Sequence, residues 1–301
     1  MKLLDLHAQH RRHLASLRRS PATLDYYRYA LEPLDKFLTE RGLPVDTDSL
    51  SKALLQEFQL WLRESRHMKP GGEHAVMRGV RAALRWAHEE ELIPRDPTAK
   101  LKLITVPQAR PPAVQPEEAR EALRIAATME QPLRNRALLL TLLDTGVRAG
   151  ELLQLRVEDV DLERGMLKVR AETAKRKRER LIPVGIKCGK AIAVYTRKER
   201  KPAFPHVPEL FLNRSGAPMT KGVMDHLMLA IGQQAGIPRS HLAPHAWRRA
   251  FATSFLRHGG DVFALQQLMG HTTLEQTRVY CRYLPDDLQR QHLRASPADR
   301  L

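Results

Sequence analysis

The sequence predicts a mainly α-helical protein with a small antiparallel β-sheet, divided into two domains. Three observations lead to this prediction. Apolar residues recur at helical spacing, two short strand-like runs lie near the middle of the chain, and four prolines stand within Pro107–Pro116. Because proline fixes φ and removes a donor, that stretch is expected to be an extended connector. We therefore predict a helical domain over 1–107, a linker over 108–115 and a mixed α/β domain over 116–301.

Three helices are predicted in the first domain. The first begins at Ser20–Pro21, where a capping side chain precedes a proline at the first helical position, and Pro33 is expected to kink or split this helix. The second covers Ser51–Glu64 and the third Glu73–Glu90. Three arginines of the third helix fall at i, i+3 and i+7 and form one basic stripe, which either contacts phosphates or is a solvated face: Arg78, Arg81 and Arg85.

The second domain is predicted to combine helices with a β-hairpin. Helices are expected at Gln115–Thr128 and Pro132–Leu143, followed by hairpin strands at Leu167–Glu172 and Arg180–Val184. More helices follow to the C-terminus. Another helix is predicted to begin at Pro285, because a proline at the first position is followed by two acids near the positive end of the helix dipole.

The composition favours a polyanionic partner. The 301 residues carry 50 lysines and arginines against 34 aspartates and glutamates, a formal net charge of +16, of which residues 108–301 contribute +12. Nucleic acid is the simplest partner for such a charge. The longest clear apolar run, Ala137–Leu143, is too short to span a membrane, and only Cys188 and Cys281 are present, which excludes a disulfide framework and a CxxC metal pair. We expect a cytoplasmic protein that contacts no membrane.

Two segments of the second domain place basic residues at turns. In TGVRAGEL, residues 145–152, a glycine turn leads into a helix that starts near Arg148, where backbone N–H groups suit an anion. The alternative is a surface arginine after a turn. In KRKRER, residues 175–180, five of six residues are basic and lie at the predicted hairpin turn. A targeting signal or a solvated patch is the alternative there.

Two further segments carry histidines. In HAWRRAFAT, residues 245–253, His245 and Arg248 share one face of a helix that begins after Pro244. A lone histidine is more often structural, but the arginine on the same face favours a functional role. In QLMGHTTLEQTRVYCRY, residues 267–283, Gly270 is a predicted C-cap.

The turn after Gly270 is predicted to be tight. Thr272-x-x-Glu275 matches a capping box for the next helix, so His271 is expected in a turn between two helices. Tyr280 lies late on that second helix. A tyrosine at helical spacing is more often part of a core, which is the alternative interpretation.

In this order and at these spacings, the four segments resemble the catalytic domain of the tyrosine recombinase (phage integrase) family. The family pattern is an arginine in TGxRxxEL, a lysine on a β-hairpin, HxxR, and a GH dipeptide followed nine residues later by a tyrosine. This chain has TGVRAGEL, HAWR, and Gly270–His271 followed by Tyr280. The first domain resembles the family's helical core-binding (SAM-like) domain more loosely. Length and motif positions are most similar to the Xer-type site-specific recombinases.

The resemblance implies the role of each residue. Tyr280 is the nucleophile, Glu151 supports the turn at Arg148, and Lys175 is the general acid, with Lys177 as its competitor. The hairpin residues Arg176, Lys177 and Arg178 are candidate DNA contacts, together with the basic stripe. Arg249 stands where the family often has histidine, and the HxxR spacing selects its neighbour instead. The implied catalytic set is Arg148, Lys175, His245, Arg248, His271 and Tyr280.

The resemblance also implies the reaction and the partners. The enzyme would cleave and rejoin double-stranded DNA through a 3′-phosphotyrosine and exchange strands through a Holliday junction, with no cofactor, metal or ATP. It would act as a homo-oligomer, a tetramer on two DNA sites, or as a hetero-oligomer with a related recombinase. Chromosome dimer resolution and mobile-element integration or excision both remain open. The alternatives are a catalytically silent DNA-binding protein, an enzyme similar to type IB topoisomerases, and a histidine-dependent metal nuclease.

Overall fold

The computed structural model describes residues 1–106, 112–173, 178–281, 289, 292–293 and 296–300. The chain divides into two compact units, Met1–Ala109 and Arg110–Leu301, and each has a hydrophobic core of its own. The prediction of a mainly helical fold with a small antiparallel sheet is confirmed. In the part of the chain that the structure describes, no helix is long and apolar enough to cross a membrane.

The first unit is built from helices α1 (Leu3–Ser16), α2 (Pro21–Glu40), α3 (Lys52–Glu64) and α4 (Pro70–Glu89). Helices α2 to α4 correspond to the three that the sequence predicts, whereas α1 was not predicted. Helices α2 and α4 pack closely, because a Cβ atom at Gly79 would overlap the methyl group of Ala30. Only glycine allows this approach.

Helix α2 runs without a break through Pro33, so the helix is not split there, and the alternative expectation of a kink stays a prediction. A proline inside a helix costs roughly 3 kcal/mol. The buried residues on both sides of it, among them Leu31, Leu34 and Phe37, each contribute about 1.5–3 kcal/mol through burial. Packing of this apolar face against the rest of the unit therefore outweighs the local cost of the proline.

The second unit contains a three-stranded antiparallel sheet, whose strands follow one another in the order β1 (Val160–Asp161), β2 (Met166–Val169) and β3 (Arg180–Pro183). Val160 pairs with Leu167, and Leu167 pairs with Ile182, so the buried side chains of β2 and β3 face the core. This confirms the predicted hairpin, although β1 was not foreseen.

Helix α6 (Pro132–Thr145) lies at the centre of the second unit. It packs against α5 (Pro116–Ala126), α8 (Ile186–Lys198) and α11 (Pro244–Arg257). The fully buried Trp247 anchors α11, and its indole N–H donates to the carbonyl of Leu242 at 3.1 Å. The helix predicted at Pro285 begins outside the described residues. The helices are α5 (Pro116–Ala126), α6 (Pro132–Thr145), α7 (Ala149–Leu153), α8 (Ile186–Lys198), α9 (Lys221–Ala235), α10 (Arg239–Leu242), α11 (Pro244–Arg257), α12 (Val262–Met269) and α13 (Glu275–Arg278), with 3₁₀ turns at Val157–Asp159 and Ala298–Arg300.

Candidate active site

The turn between α6 and α7 holds Arg148 in a defined orientation. Gly146 ends α6 with a φ of 58°, and a Cβ atom there would overlap the ring of Phe251, so glycine is needed on both counts. Arg148 is then the N-cap of α7, as predicted. Its backbone N–H and its Nη1 each donate to the carboxylate of Glu151, both at 2.9 Å. One carboxylate therefore orients both the backbone and the guanidinium of Arg148.

Glu151 also accepts hydrogen bonds from a second arginine, Arg180, which was not predicted from the sequence to be a site residue. Arg180 donates from Nη1 and Nη2 to the two carboxylate oxygens, at 3.1 and 2.7 Å. Burial alone would raise the pKa of Glu151, which is 2% exposed. The hydrogen bonds and charges of Arg180 and then Arg148 outweigh burial and hold the pKa of the carboxyl below its usual range. Glu151 is therefore ionised at neutral pH.

Arg248 connects the Arg148 turn to a second turn. Its Nη1 donates to the carbonyl of Gly146, and its Nη2 donates to the carbonyl of Met269 at 2.7 Å and to Nε2 of His271 at 3.1 Å. The side chain is buried, and burial followed by the charge of Arg148 lowers the pKa of Arg248 to about 10. It therefore stays charged at pH 7 and lies close to Arg148.

The second turn orients the ring of His271. Gly270 ends α12 in the left-handed region with a φ of 63°, which confirms the predicted C-cap. Because an arginine can only donate, Nε2 of His271 is the acceptor from Arg248. In the neutral ring the proton is then on Nδ1, which lies 2.9 Å from the hydroxyl of the buried Thr277. The ring is thus held at both nitrogens.

The expected capping box at this turn is wrong. Helix α13 begins at Glu275 with Leu274 as its N-cap, rather than with Thr272. The segment after Gly270 is instead closed by the hydrogen bond between His271 and Thr277. The local sequence pattern does not include this contact, which explains the difference.

Tyr280 lies directly beside His271. The two rings are nearly parallel, 12° apart, with centroids separated by 6.3 Å. Tyr280 is half-buried and packs against the apolar cluster that contains Phe251 and Met269. Tyr280 is close enough to the buried Arg248 to interact with it electrostatically, while part of the Tyr280 side chain remains exposed to solvent.

The neighbours of Arg248 on α11 occupy different environments. His245 is in the first turn of the helix and is exposed. Arg249, the rival of Arg248, donates from Nε to the carbonyl of Pro112 at 2.8 Å. The structure therefore places Arg248, and not Arg249, against His271.

The structure does not describe three of the remaining predicted site residues. Lys175, Arg176 and Lys177 lie outside the described part of the chain, and Arg178 is exposed just before β3.

The basic stripe lies on α4 in the first unit. Arg78 is exposed and donates to the hydroxyl of Tyr26 at 3.3 Å, and the exposed Arg85 pairs with Glu89 at 2.8 Å. Arg81 is half-buried and donates to the carbonyl of Leu101. Two of the three side chains are therefore free to reach a ligand without breaking a bond to the backbone.

A search of the described residues finds no group of three or more histidine, cysteine, aspartate or glutamate side chains that could hold a metal ion. The prediction that the reaction needs no metal and no cofactor stays a prediction.

Comparison with known proteins defines the class of the chain. The model of the phage integrase family matches residues 113–286, and the model of the phage integrase SAM-like domain matches residues 2–103. The chain belongs to the phage integrase family.

The relatives are more specific. Tyrosine recombinase XerD of Vibrio cholerae is 30% identical over 274 residues, which cover 90% of this chain and 88% of the relative. Tyrosine recombinase XerD of Pseudomonas aeruginosa is 30% identical over 279 residues, 91% of each chain. These similarities confirm the predicted resemblance to Xer-type recombinases: the chain is a tyrosine recombinase, an enzyme of DNA strand breakage and rejoining.

A solved structure shows the same fold. The integrase of transposon Tn1549, in complex with a circular intermediate DNA, superimposes with a TM-score of 0.80. The match covers 98% of this chain and 99% of that chain at 21% sequence identity.

Proposed function

We propose that Tyr280 cleaves one strand of double-stranded DNA and that strands are exchanged through a Holliday junction. The observation that supports this proposal best is the position of Arg248, whose guanidinium bonds to the Arg148 turn and to His271, beside the ring of Tyr280. Two arginines and a phenol thus converge on one small region, as in-line attack on a phosphate requires.

In the proposed step, the oxygen of Tyr280 forms a bond to phosphorus while the bond from phosphorus to the 5′-oxygen breaks. The product is a 3′-phosphotyrosine and a free 5′-hydroxyl, and the reverse reaction rejoins the strand. His245 assists removal of the phenol proton, and Lys175 or Lys177 donates a proton to the departing oxygen. The stored phosphodiester energy makes ATP unnecessary.

The arginines stabilise the charge that develops in the transition state. A phosphorane-like transition state gathers negative charge on its non-bridging oxygens, and guanidinium groups donate paired hydrogen bonds to such oxygens. Arg148 is about one-fifth exposed and Arg248 is buried, so both charges act where water screens them weakly. His271 would add a hydrogen bond to the same phosphate once its Nε2 gives up the bond from Arg248 and itself carries a proton.

DNA binding would involve both units. We propose that residues 1–107 form the core-binding domain, residues 116–301 the catalytic domain, and residues 108–115 the linker. Arg78 and Arg85 have exposed side chains that can contact phosphates, and Arg178 is exposed next to the hairpin turn. The Tn1549 integrase is described in complex with DNA, which supports double-stranded DNA as the partner.

The assembly would be a tetramer on two DNA sites, formed by this chain alone or with a related recombinase, and it would act in the cytoplasm. The relatives include XerD recombinases and a transposon integrase. Both chromosome dimer resolution and movement of a mobile element are therefore compatible with them.

A single-turnover cleavage assay tests the proposal. Binding selection from random duplexes first defines the target site, which is then prepared with a nick beside the scissile phosphate so that covalent complex accumulates. The wild-type protein should form an adduct that survives denaturation. Tyr280→Phe should form none, although its Kd for the site stays within about threefold of wild type.

Tyr283→Phe is the matched control, because it removes the next phenol along the chain, and it should retain the adduct. An adduct from Tyr280→Phe would show that another residue is the nucleophile. A wild-type protein that binds its site without forming an adduct would identify a silent DNA-binding protein.

A further inference from the structure

We infer that Arg180 is a positioning residue for strand cleavage. Its side chain joins the Arg148 turn to the turn that carries His271. This inference rests on the proposed function. The sequence assigned Arg180 only to a basic hairpin, and the family pattern quoted above does not include it.

The hydrogen bonds of Arg180 are divided between the two turns. Its Nη1 and Nη2 donate to the two carboxylate oxygens of Glu151 as a bidentate pair, at 3.1 and 2.7 Å. Its Nε donates to the carbonyl of Leu268, in the last turn of α12, at 2.9 Å. The side chain is only 10% exposed. The planar guanidinium of Arg180 is largely removed from solvent and holds the two turns at a fixed separation, which a surface charge would not do.

Gly270 shows how closely the guanidinium lies under the second turn. A Cβ atom at this position would come within 3.2–3.4 Å of three atoms of the Arg180 side chain, and the backbone has a φ of +63°. The requirement for glycine before His271 thus depends partly on Arg180. A displacement of this side chain would leave space beneath the turn and loosen the position of His271.

The charge of Arg180 also preserves the contact between Glu151 and Arg148. In the described part of the chain, the charged groups that face Glu151 are Arg148 at the start of α7, Arg180 on β3 and Arg248 on α11. Without Arg180, burial would act against the ionised carboxylate with less compensation, and the pKa of Glu151 would rise. A protonated Glu151 would hold the backbone and guanidinium of Arg148 more weakly.

The place of Arg180 in the chain adds a third connection. It is the first residue of β3 and pairs with Val169 of β2, three positions after Lys177. The bond to Leu268 therefore fixes the return strand of the hairpin to α12. The candidate general acids precede this anchored point by three to five residues.

The test compares Arg180→Gln and Arg180→Lys with wild type in the single-turnover cleavage assay. Arg180→Gln should cleave about 100-fold more slowly, as expected for a small misplacement of reacting groups, with a Kd for the site within about threefold of wild type. Arg180→Lys keeps the positive charge but cannot form the bidentate pair with Glu151, so it should recover only part of the lost rate.

Arg170→Gln is the matched control for loss of a buried arginine. Arg170 is 14% exposed. Within the described residues it bonds to the buried Asp159 at 3.4 Å, to Glu158 at 3.8 Å and to the carbonyl of Gln154 at 2.9 Å, but to neither turn. It should lower thermal stability to a similar extent and leave the cleavage rate within about threefold. A purely structural role for Arg180 predicts equal behaviour of the two glutamine variants, which would overturn the inference.

The pH dependence separates positioning from stability. Because the pKa of Glu151 should rise in Arg180→Gln, the rate of this variant relative to wild type should fall further as the pH is lowered. In Glu151→Gln no carboxyl is left to titrate, so adding Arg180→Gln to it should cause a loss that does not depend on pH. A pH-independent loss in Arg180→Gln alone would contradict the role through Glu151.

The wild-type lane distinguishes the two proposals. A wild-type adduct with an unchanged rate in Arg180→Gln would overturn only the role of Arg180. Absence of an adduct from wild-type protein would overturn the proposed function and, with it, the positioning role.

Discussion

Two carboxyl groups, one in each unit, have pKa values that are shifted in opposite directions. Glu151 in the second unit is 2% exposed, and its pKa lies below the usual range. The Asp35 side chain in the first unit is 32% exposed, and burial followed by the charge of Glu32 raises its pKa to about 6. Exposure alone would predict the reverse order.

The two pKa shifts differ because Glu151 and Asp35 have different hydrogen-bond partners. Glu151 accepts hydrogen bonds from two arginine side chains and one backbone N–H. Asp35 faces Nδ1 of His7 at 3.5 Å, and within the described residues its buried Oδ1 has no hydrogen-bond partner. Donors that are built into the fold therefore decide the direction in which the pKa of a carboxyl group shifts, and the ionised Glu151 is able to orient Arg148.

Removal of Glu151 should cause the largest change in stability and in cleavage rate. In Glu151→Ala, two buried or half-buried arginines lose their shared anion, which should cost about 3 kcal/mol of unfolding free energy. We also expect cleavage to slow by at least ~100-fold, because Arg148 loses its orientation. Denaturant unfolding and single-turnover adduct formation measure the two losses.

Asp159→Ala is the control for this variant. Asp159 is also buried and accepts from the backbone of Arg156 at 2.8 Å, with Arg170 at 3.4 Å, but it is not part of the site. It should lose stability while cleavage by the folded protein is retained. Equal loss of cleavage in both variants would show that general destabilisation, and not orientation, explains the effect of Glu151.

Asp35→Asn should have the opposite effect on stability. The folded state raises the pKa of Asp35 from 3.8 to about 6, so it binds the proton more tightly than the unfolded chain does. The folded protein therefore loses stability as the pH rises from 3.8 to about 6. Removing the charge should therefore stabilise the protein at pH 7 by about 1–2 kcal/mol after allowance for solvent screening.

The gain should shrink as the pH falls through 6 and should vanish below 3.8, where the carboxyl is protonated in both states. Chemical unfolding at pH 7 and at acidic pH measures it. Asp25→Asn, an exposed position on the same helix, should change nothing. A loss of stability in Asp35→Asn at pH 7 would mean that the contact with His7 stabilises more than burial costs.

The smallest effect is expected on the exposed face of α4. Arg85 pairs with Glu89 one turn away, and both side chains are exposed, so Arg85→Gln should change stability by less than ~0.5 kcal/mol. If Arg85 contacts a phosphate, the slope of log K against log salt should fall by about 0.9. An unchanged slope in a DNA-binding titration would assign Arg85 to a solvated face.

Much of the fold and most of the candidate site could be predicted from local patterns. Proline and serine positions located the starts of α2, α3 and α6, and the glycine at 270 located the end of α12. Helix α1 was missed, although Leu3, Leu6 and Leu14 recur at helical spacing, because the buried His10 and the adjacent basic residues obscure its apolar face. Strand β1 has only two residues, which is too short for a periodic signal.

Arg180 could not be predicted as a site residue. Within the basic run it has the same charge as its neighbours, and nothing local distinguishes it. Its role depends on the pairing register of β3 with β2 and on contacts to Glu151 and Leu268, which lie 29 and 88 positions away in the chain.

The sequence by itself determined which residues are candidates for the chemistry and where most helices begin and end, because caps, glycine turns and motif spacing act over a few residues. Only the tertiary structure decided which basic side chains become part of the site. Burial beside a shared carboxylate converts Arg180 from one charge among many into a rigid connection, and such burial depends on packing between elements that are distant in the chain.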